Sequence, residues 1–167
     1  MKKVAIQDAN ILIDLLKATI FEQCLLLNYH FCTTNLILAE LYDEQSVFLQ
    51  PFIDAEKFSV IAVSEEDLTE INKLSIEDPR LSEQDWSAYY YAQQENSLLL
   101  TGDKRLKNYA QSKGIAAYGV LWVFDQLVEN NCITKEAACA YLQRMMNNNK
   151  RLPTHECELR LAEWCGK

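Results

Sequence analysis

Two histidines, four glycines and three prolines are all that 167 residues contain of those types, and each scarcity removes a class of protein. His30 and His155 are too few for a histidine-based metal centre, and a Ser-His-Asp triad has little to draw on. So little glycine and proline excludes collagen-like or linker-rich architecture and leaves a compact, helix-rich chain. No apolar run approaches the ~18 residues of a membrane span. Met1-Lys-Lys is followed by only a few apolar residues before Gln7 and Asp8, which is not a secretory pattern. A soluble, cytoplasmic protein is expected. The six cysteines form no C-x-x-C pair, and His30-x-Cys32 and His155-x-Cys157 lack a second pair at zinc-finger spacing; free, largely buried thiols are expected. Positive charge is also short. With 16 Lys+Arg against 24 Asp+Glu, the net charge is −8, which excludes a coat protein that neutralises phosphates. It does not exclude an enzyme whose carboxylates hold a cation.

What the chain does have is strands that run into aspartates. Leu98-Leu-Leu-Thr101-Gly-Asp103 is an apolar run ended by a glycine and an acid, followed by the helix-like Lys104-Arg-Leu-Lys-Asn-Tyr-Ala110. Such a run reads as a strand buried on both faces of a parallel sheet. Val4-Ala-Ile6-Gln7-Asp8 has the same ending, before the helical Ile11-Leu-Ile-Asp-Leu-Leu16. Ligands of open α/β sheets bind at the carboxyl edge of the strands. An aspartate there also serves as an ordinary helix N-cap, so it takes two such endings at one edge to suggest a site.

Further strands are predicted at 31–34, 58–63 and 115–118, alternating with helices. Ser64 and Ser82 are N-caps, with acids in the first turns that follow and Asp85 at a capping-box position. Asn35 is expected to cap the helix that carries Glu40, and Phe21–Tyr29 to form a leucine-rich helix. Pro51 is a candidate kink within 45–55. Helices over 119–130, 134–148 and 154–164 complete the chain, with 147–153 as the clearest loop. The expected architecture is a single α/β domain over 1–167: a three-layer αβα sandwich around a mostly parallel sheet of about five strands. Its core covers about 3–120, and a C-terminal helical segment covers about 119–165.

In such a layer, Glu40 and Asp85 at helix starts crowd the same edge as Asp8 and Asp103. Four carboxylates in one cleft repel strongly unless a cation neutralises them. Oxygen donors without thiolate or imidazole select Mg2+ or Mn2+, ions suited to phosphodiester hydrolysis. Asn10 and Thr101 add neutral oxygens to orient a bound water. Taken singly, Asp85 is explained as a helix-start acid, Glu40 by a solvated face with Asp43 and Glu44, and Asp14 as a structural residue of the first helix.

Four segments, in this order, resemble the PIN-domain nuclease superfamily, in particular VapC-like toxins of type II toxin–antitoxin pairs. They are Val4-Ala-Ile-Gln-Asp8-Ala-Asn10, Thr33-Thr-Asn-Leu-Ile-Leu-Ala-Glu40, Leu81-Ser-Glu-Gln-Asp85-Trp-Ser-Ala and Leu99-Leu-Thr101-Gly-Asp103. The resemblance implies that Asp8, Glu40, Asp85 and Asp103 are catalytic metal ligands, with Thr101 as the hydroxyl residue two places before the last acid. It departs at Gly102, where many relatives carry a further acid. It also implies a magnesium- or manganese-dependent ribonuclease, often a homodimer and inhibited by an antitoxin protein.

An RNA substrate needs positive or stacking contacts. Lys104 and Arg105 begin the helix after Asp103 and are the candidate substrate-binding residues; Lys107 and Lys113 read better as solvated lysines. Arg144, Lys150, Arg151 and Arg160 form a second basic group, and Trp86 with Tyr89–Tyr91 offers rings that stack bases or pack in the core. The competing reading is a PIN fold without turnover that binds RNA or a regulatory partner. A receiver- or phosphatase-like domain fits less well, because no lysine ends a late strand.

Overall fold

The computed structural model describes residues 2–166. In chain order the elements are β1 (Lys3–Gln7), α1 (Ala9–Lys17), α2 (Phe21–Cys24), β2 (Tyr29–Thr34), α3 (Asn35–Leu38), α4 (Asp43–Asp54), β3 (Phe58–Ile61) and α5 (Glu65–Leu74). They continue with α6 (Glu83–Gln94), β4 (Leu98–Leu100), α7 (Lys104–Ser112), β5 (Ala117–Tyr118), α8 (Val120–Glu129), α9 (Lys135–Asn148) and α10 (Thr154–Trp164). The five strands form one sheet in the order β3-β2-β1-β4-β5, and every pairing is parallel. Helices flank it on both faces, giving a three-layer α/β fold with extra C-terminal helices.

The strand order carries a consequence for function. From β1 the chain builds outward to β2 and β3, then crosses back to build β4 and β5 on the other side. The reversal point lies between β1 and β4, where an open α/β sheet leaves a crevice at its carboxyl edge. These two strands are the ones that run into Asp8 and Asp103. They are locked in register by Ile6 against Leu99 and Gln7 against Leu100.

Leu98, Leu99 and Leu100 are all buried, as a run covered on both faces requires. On one face α6 packs across β1, β2 and β4. Its Trp86 and Tyr89 meet Tyr109 of α7 in edge-to-face contacts with ring centroids 5.0–5.7 Å apart. Tyr91 is buried as well, and Tyr90 and Tyr91 both donate hydroxyls to Asp67 of α5. These rings are therefore core and inter-helix ties, not a base-stacking surface. On the other face α1, α8 and α9 pack together. There Arg144 of α9 donates to the Thr19 hydroxyl and the Ala18 carbonyl. Asp14 is half-buried and accepts from the Asn149 amide at 2.9 Å, so its role is structural.

Several expectations are corrected. Cys139 and Cys165 form a disulfide with Cα atoms 5.3 Å apart. The antiparallel return of α10 on α9 brings the start of one helix beside the end of the other, a proximity that a 26-residue separation did not announce. Cys24, Cys32, Cys132 and Cys157 are free. The predicted helix over 21–29 stops at Cys24, because the chain must extend by Tyr29 to pair with Lys3. The cap of α3 is Thr34, whose hydroxyl accepts from the Ile37 N–H at 3.2 Å; Asn35 instead accepts from the Val63 N–H at 3.1 Å. Pro51 sits inside α4 without ending it. The strands predicted at 58–63 and 115–118 are shorter, Phe58–Ile61 and Ala117–Tyr118.

Candidate active site

Asp8 follows β1 directly and is 1 % exposed. Its N–H donates to the Leu100 carbonyl at 3.0 Å, so the sheet itself fixes its position. One carboxylate oxygen accepts from the Ile11 N–H at 2.9 Å, which makes Asp8 the N-cap of α1. The other accepts from the Thr101 hydroxyl. Thr101 Oγ1 in turn accepts from the Asp103 N–H at 3.0 Å. One hydroxyl therefore joins the ends of β1 and β4, and both signalled aspartates meet at Thr101.

Asp103 is the N-cap of α7, with Oδ1 accepting from the Leu106 N–H at 3.0 Å. Asp85 starts α6 in a reciprocal cap: it accepts from the Ser82 N–H at 2.9 Å while its own N–H donates to the Ser82 hydroxyl at 3.0 Å. The capping-box reading of Ser82 and Asp85 is thus what the chain does. Glu40 was expected in the helix after β2. That helix is one turn long and ends at Leu38, which leaves Glu40 exposed in the following turn.

Burial pushes the Asp8 carboxyl up to about 7, against hydrogen bonds from Thr101, Ile11 and Gly102 that favour the charged form. Asp85 adds to the rise by like-charge repulsion. The Glu40 carboxyl is also raised, first by desolvation and then by Asp85. Asp85 thus stands between Asp8 and Glu40 electrostatically, and none of the four acids has an ion-pair partner among the described residues. A buried carboxylate held only by neutral donors is costly, and a cation is the usual remedy.

The donor set fits a hard divalent ion in kind: carboxylates and hydroxyls, without imidazole or thiolate nearby. Three of the acids each commit one oxygen to a helix start, so three ligands are not preassembled. Among the described residues no three acids, histidines or cysteines stand together closely enough to hold one ion. Asn10 is exposed in the first turn of α1. Its Cβ would lie 3.4 Å from a Cβ added at Gly102, so Asn10 lines the position where a further acid is missing.

A model of the DUF3368 family, described as a PIN domain, matches residues 4–165. The chain belongs to the PIN-domain family. PIN domains are generally nucleases, which typically use divalent metals and bind nucleic-acid substrates. Among solved structures, the PIN fold of this chain resembles the crystal structure of PAE2754 from Pyrobaculum aerophilum, with TM-score 0.50, 16% identity and coverage of 74% of this chain and 89% of that one. A PilT N-terminus domain protein, SSO1118, from Sulfolobus solfataricus P2 aligns with TM-score 0.45 and 19% identity, covering 75% of this chain and 94% of that one. No curated protein sequence matches the chain.

The candidate substrate-binding residues meet different fates. Lys104 is exposed at the first position of α7. Arg105 is shared with Asp78 at 3.4 Å. Asp78 also takes both Nε and Nη2 of Arg80, at 2.8 and 2.9 Å. Arg80 was not singled out from the sequence, where Glu77-Asp-Pro-Arg80 signals only a turn. In the later basic group, Arg160 is committed to Asp125 and Glu156, whereas the exposed Arg144 commits only Nη1, to the Ala18 carbonyl and the Thr19 hydroxyl just after α1. No helix among the described residues is long and apolar enough to cross a membrane.

Proposed function

We propose that this PIN-domain protein is a metal-dependent endoribonuclease that hydrolyses RNA phosphodiester bonds. The observation that carries the reading is Asp8: fully buried, raised to about 7, and without a cationic side chain to offset its charge. A carboxylate so placed at the strand-order reversal serves an ion better than it serves the fold. Asp8, Asp85 and Asp103 would hold Mg2+ or Mn2+, with Glu40 at the open side. The ion supplies water activation and charge stabilisation at the phosphate. Thr101 positions the Asp8 carboxylate and ties it to the start of α7, while Asn10 is placed to orient water at the rim.

The resemblance to VapC-like toxins supports a toxin-like role in the cytoplasm, as a homodimer restrained by an antitoxin protein. A second reading is favoured by Gly102, and because no three ligands stand together among the described residues: a PIN fold that binds RNA or regulates a partner with little turnover. The two separate in one experiment. RNA of mixed sequence is incubated with millimolar Mn2+ or Mg2+, using wild type, Asp8→Asn and Asp103→Asn. Cleavage by wild type alone supports the enzyme. RNA binding without cleavage in all three supports the alternative, and a melting temperature indifferent to metal sinks the shared ion site.

A further inference from the structure

Four carboxylates repel the phosphate that the reaction needs, so the polynucleotide must be held by something beside them. In this acidic chain, cations near the site are few, and two of them converge on one anchor. Asp78 lies in the turn before α6, with its side chain only 14% exposed. It accepts Nε and Nη2 of Arg80 as a fork, and Nε of Arg105, from the first turn of α7, stands 3.4 Å from its Oδ2 as an ion pair. The two arginine side chains remain 66% and 43% exposed. Two guanidinium groups against one carboxylate leave a surplus positive charge facing solvent. Asp78 is held well below the usual carboxylate range, at about 2, chiefly by Arg80, so the anchor stays charged.

Position matters as much as charge. Helices that return antiparallel to a parallel sheet start at its carboxyl edge. The starts of α6 and α7 therefore carry Asp85 and Asp103 to that edge, and Arg80 and Arg105 lie five residues before the one acid and two after the other. Arg80 spends Nε and Nη2 on Asp78, which leaves Nη1 uncommitted among the described residues; Arg105 is paired with Asp78 through Nε alone. Each keeps planar donors of the kind that match two phosphate oxygens. Fixing the forks in advance also spares rotamer entropy on binding.

We propose that Asp78 positions Arg80 and Arg105 as a paired clamp for a backbone phosphate of single-stranded RNA, beside the carboxylate site and not at the scissile bond. This rests on the nuclease reading above and adds Asp78 and Arg80 to it. The bland account is a surface ion pair that staples a turn, worth little to stability and nothing to binding.

The test measures anisotropy of a fluorescein-labelled single-stranded RNA of mixed sequence, in EDTA and over a range of salt. Arg80→Ala and Arg105→Ala are each expected to weaken binding about 3- to 10-fold and to flatten the log K against log salt slope by about 0.7. Lys57→Ala, exposed just before β3 and so at the amino edge of the sheet, should change neither. Arg80→Lys should restore the slope without the affinity, because an ammonium lacks the fork. In Mn2+, the alanine variants should raise KM for RNA with kcat nearly unchanged. Wild-type affinity and slope in both alanine variants, in a protein that still cleaves RNA, overturn the clamp and leave the nuclease intact. Full affinity in Arg80→Lys overturns the forked geometry. Wild type that neither binds nor cleaves RNA overturns both proposals.

Discussion

Replacing Asp8 by Asn should make the protein more stable at neutral pH and above, with the gain vanishing in acid. In the folded chain the Asp8 carboxyl is raised from 3.8 to about 7, whereas the unfolded chain titrates it near 4. Between those values the folded state binds the extra proton, so stability falls as pH rises. The penalty is absent below about pH 4 and grows by ~1.4 kcal/mol per pH unit. Above about pH 7 it levels off at ~4 kcal/mol. Asn keeps an acceptor for the Ile11 N–H but surrenders a charge-assisted bond to Thr101, a loss of ~1–2 kcal/mol at every pH where the aspartate is ionised. The net gain at about pH 8 is then ~2–3 kcal/mol, and the difference between the proteins should widen by roughly 2–3 kcal/mol from pH 5 to pH 8. Urea unfolding in EDTA, followed by the fluorescence of the three tryptophans, measures it. Added Mn2+ should reverse the order by stabilising wild type alone, by RT ln(1 + [M]/Kd). Parallel stability curves for the two proteins across this pH range would refute the reasoning, since the buried charge would then cost nothing.

Three more outcomes follow from the same geometry. Thr101→Val removes the hydroxyl shared by Asp8 and the Asp103 N–H. It should cost about 1–3 kcal/mol and move the Asp8-dependent limb of the stability profile to higher pH, seen as a shifted midpoint in the same urea series. Gly102→Asp should fold normally, because its Cβ would meet Asn10 at an ordinary 3.4 Å and Gly102 is outside the left-handed region. It should also bind Mn2+ about tenfold more tightly by calorimetry, as one added carboxylate at the rim predicts; unchanged affinity means that position does not face the ion. Reducing the Cys139–Cys165 bond, whose partners are 26 residues apart, should lower stability by about 3 kcal/mol and raise hydrogen exchange in α10. Insensitivity to reductant shows that the covalent tie does not contribute.

The sheet, and the strand ends that bring Asp8 and Asp103 to Thr101, were legible because the signals are local. An apolar run that ends in an acid states both where a strand stops and what caps the next helix, and Asp8 and Asp103 do both. Ser64 and Ser82 likewise cap as their spacing suggests. The errors fall where a distant partner decides. Leu25–Leu27 reads as helix, but register with β1 pulls the chain into β2. Asn35 has cap chemistry, but the Thr34 hydroxyl one residue earlier is already in place, and the amide is taken by Val63. Arg160 reads as a basic surface until Asp125, 35 positions away, claims it. Arg80 and the Cys139–Cys165 pair are invisible for the same reason: each gains its meaning from a segment the local pattern does not name.

The double duty of the acids bears on how an inactive version of this chain would look. Asp8 and Asp103 each cap a helix, and asparagine or serine does that job about as well without charge repulsion. A protein freed from chemistry would therefore drift toward neutral caps at these two places and gain stability as it did so. Folding asks only for an acceptor oxygen there, and the negative charge is surplus to that demand.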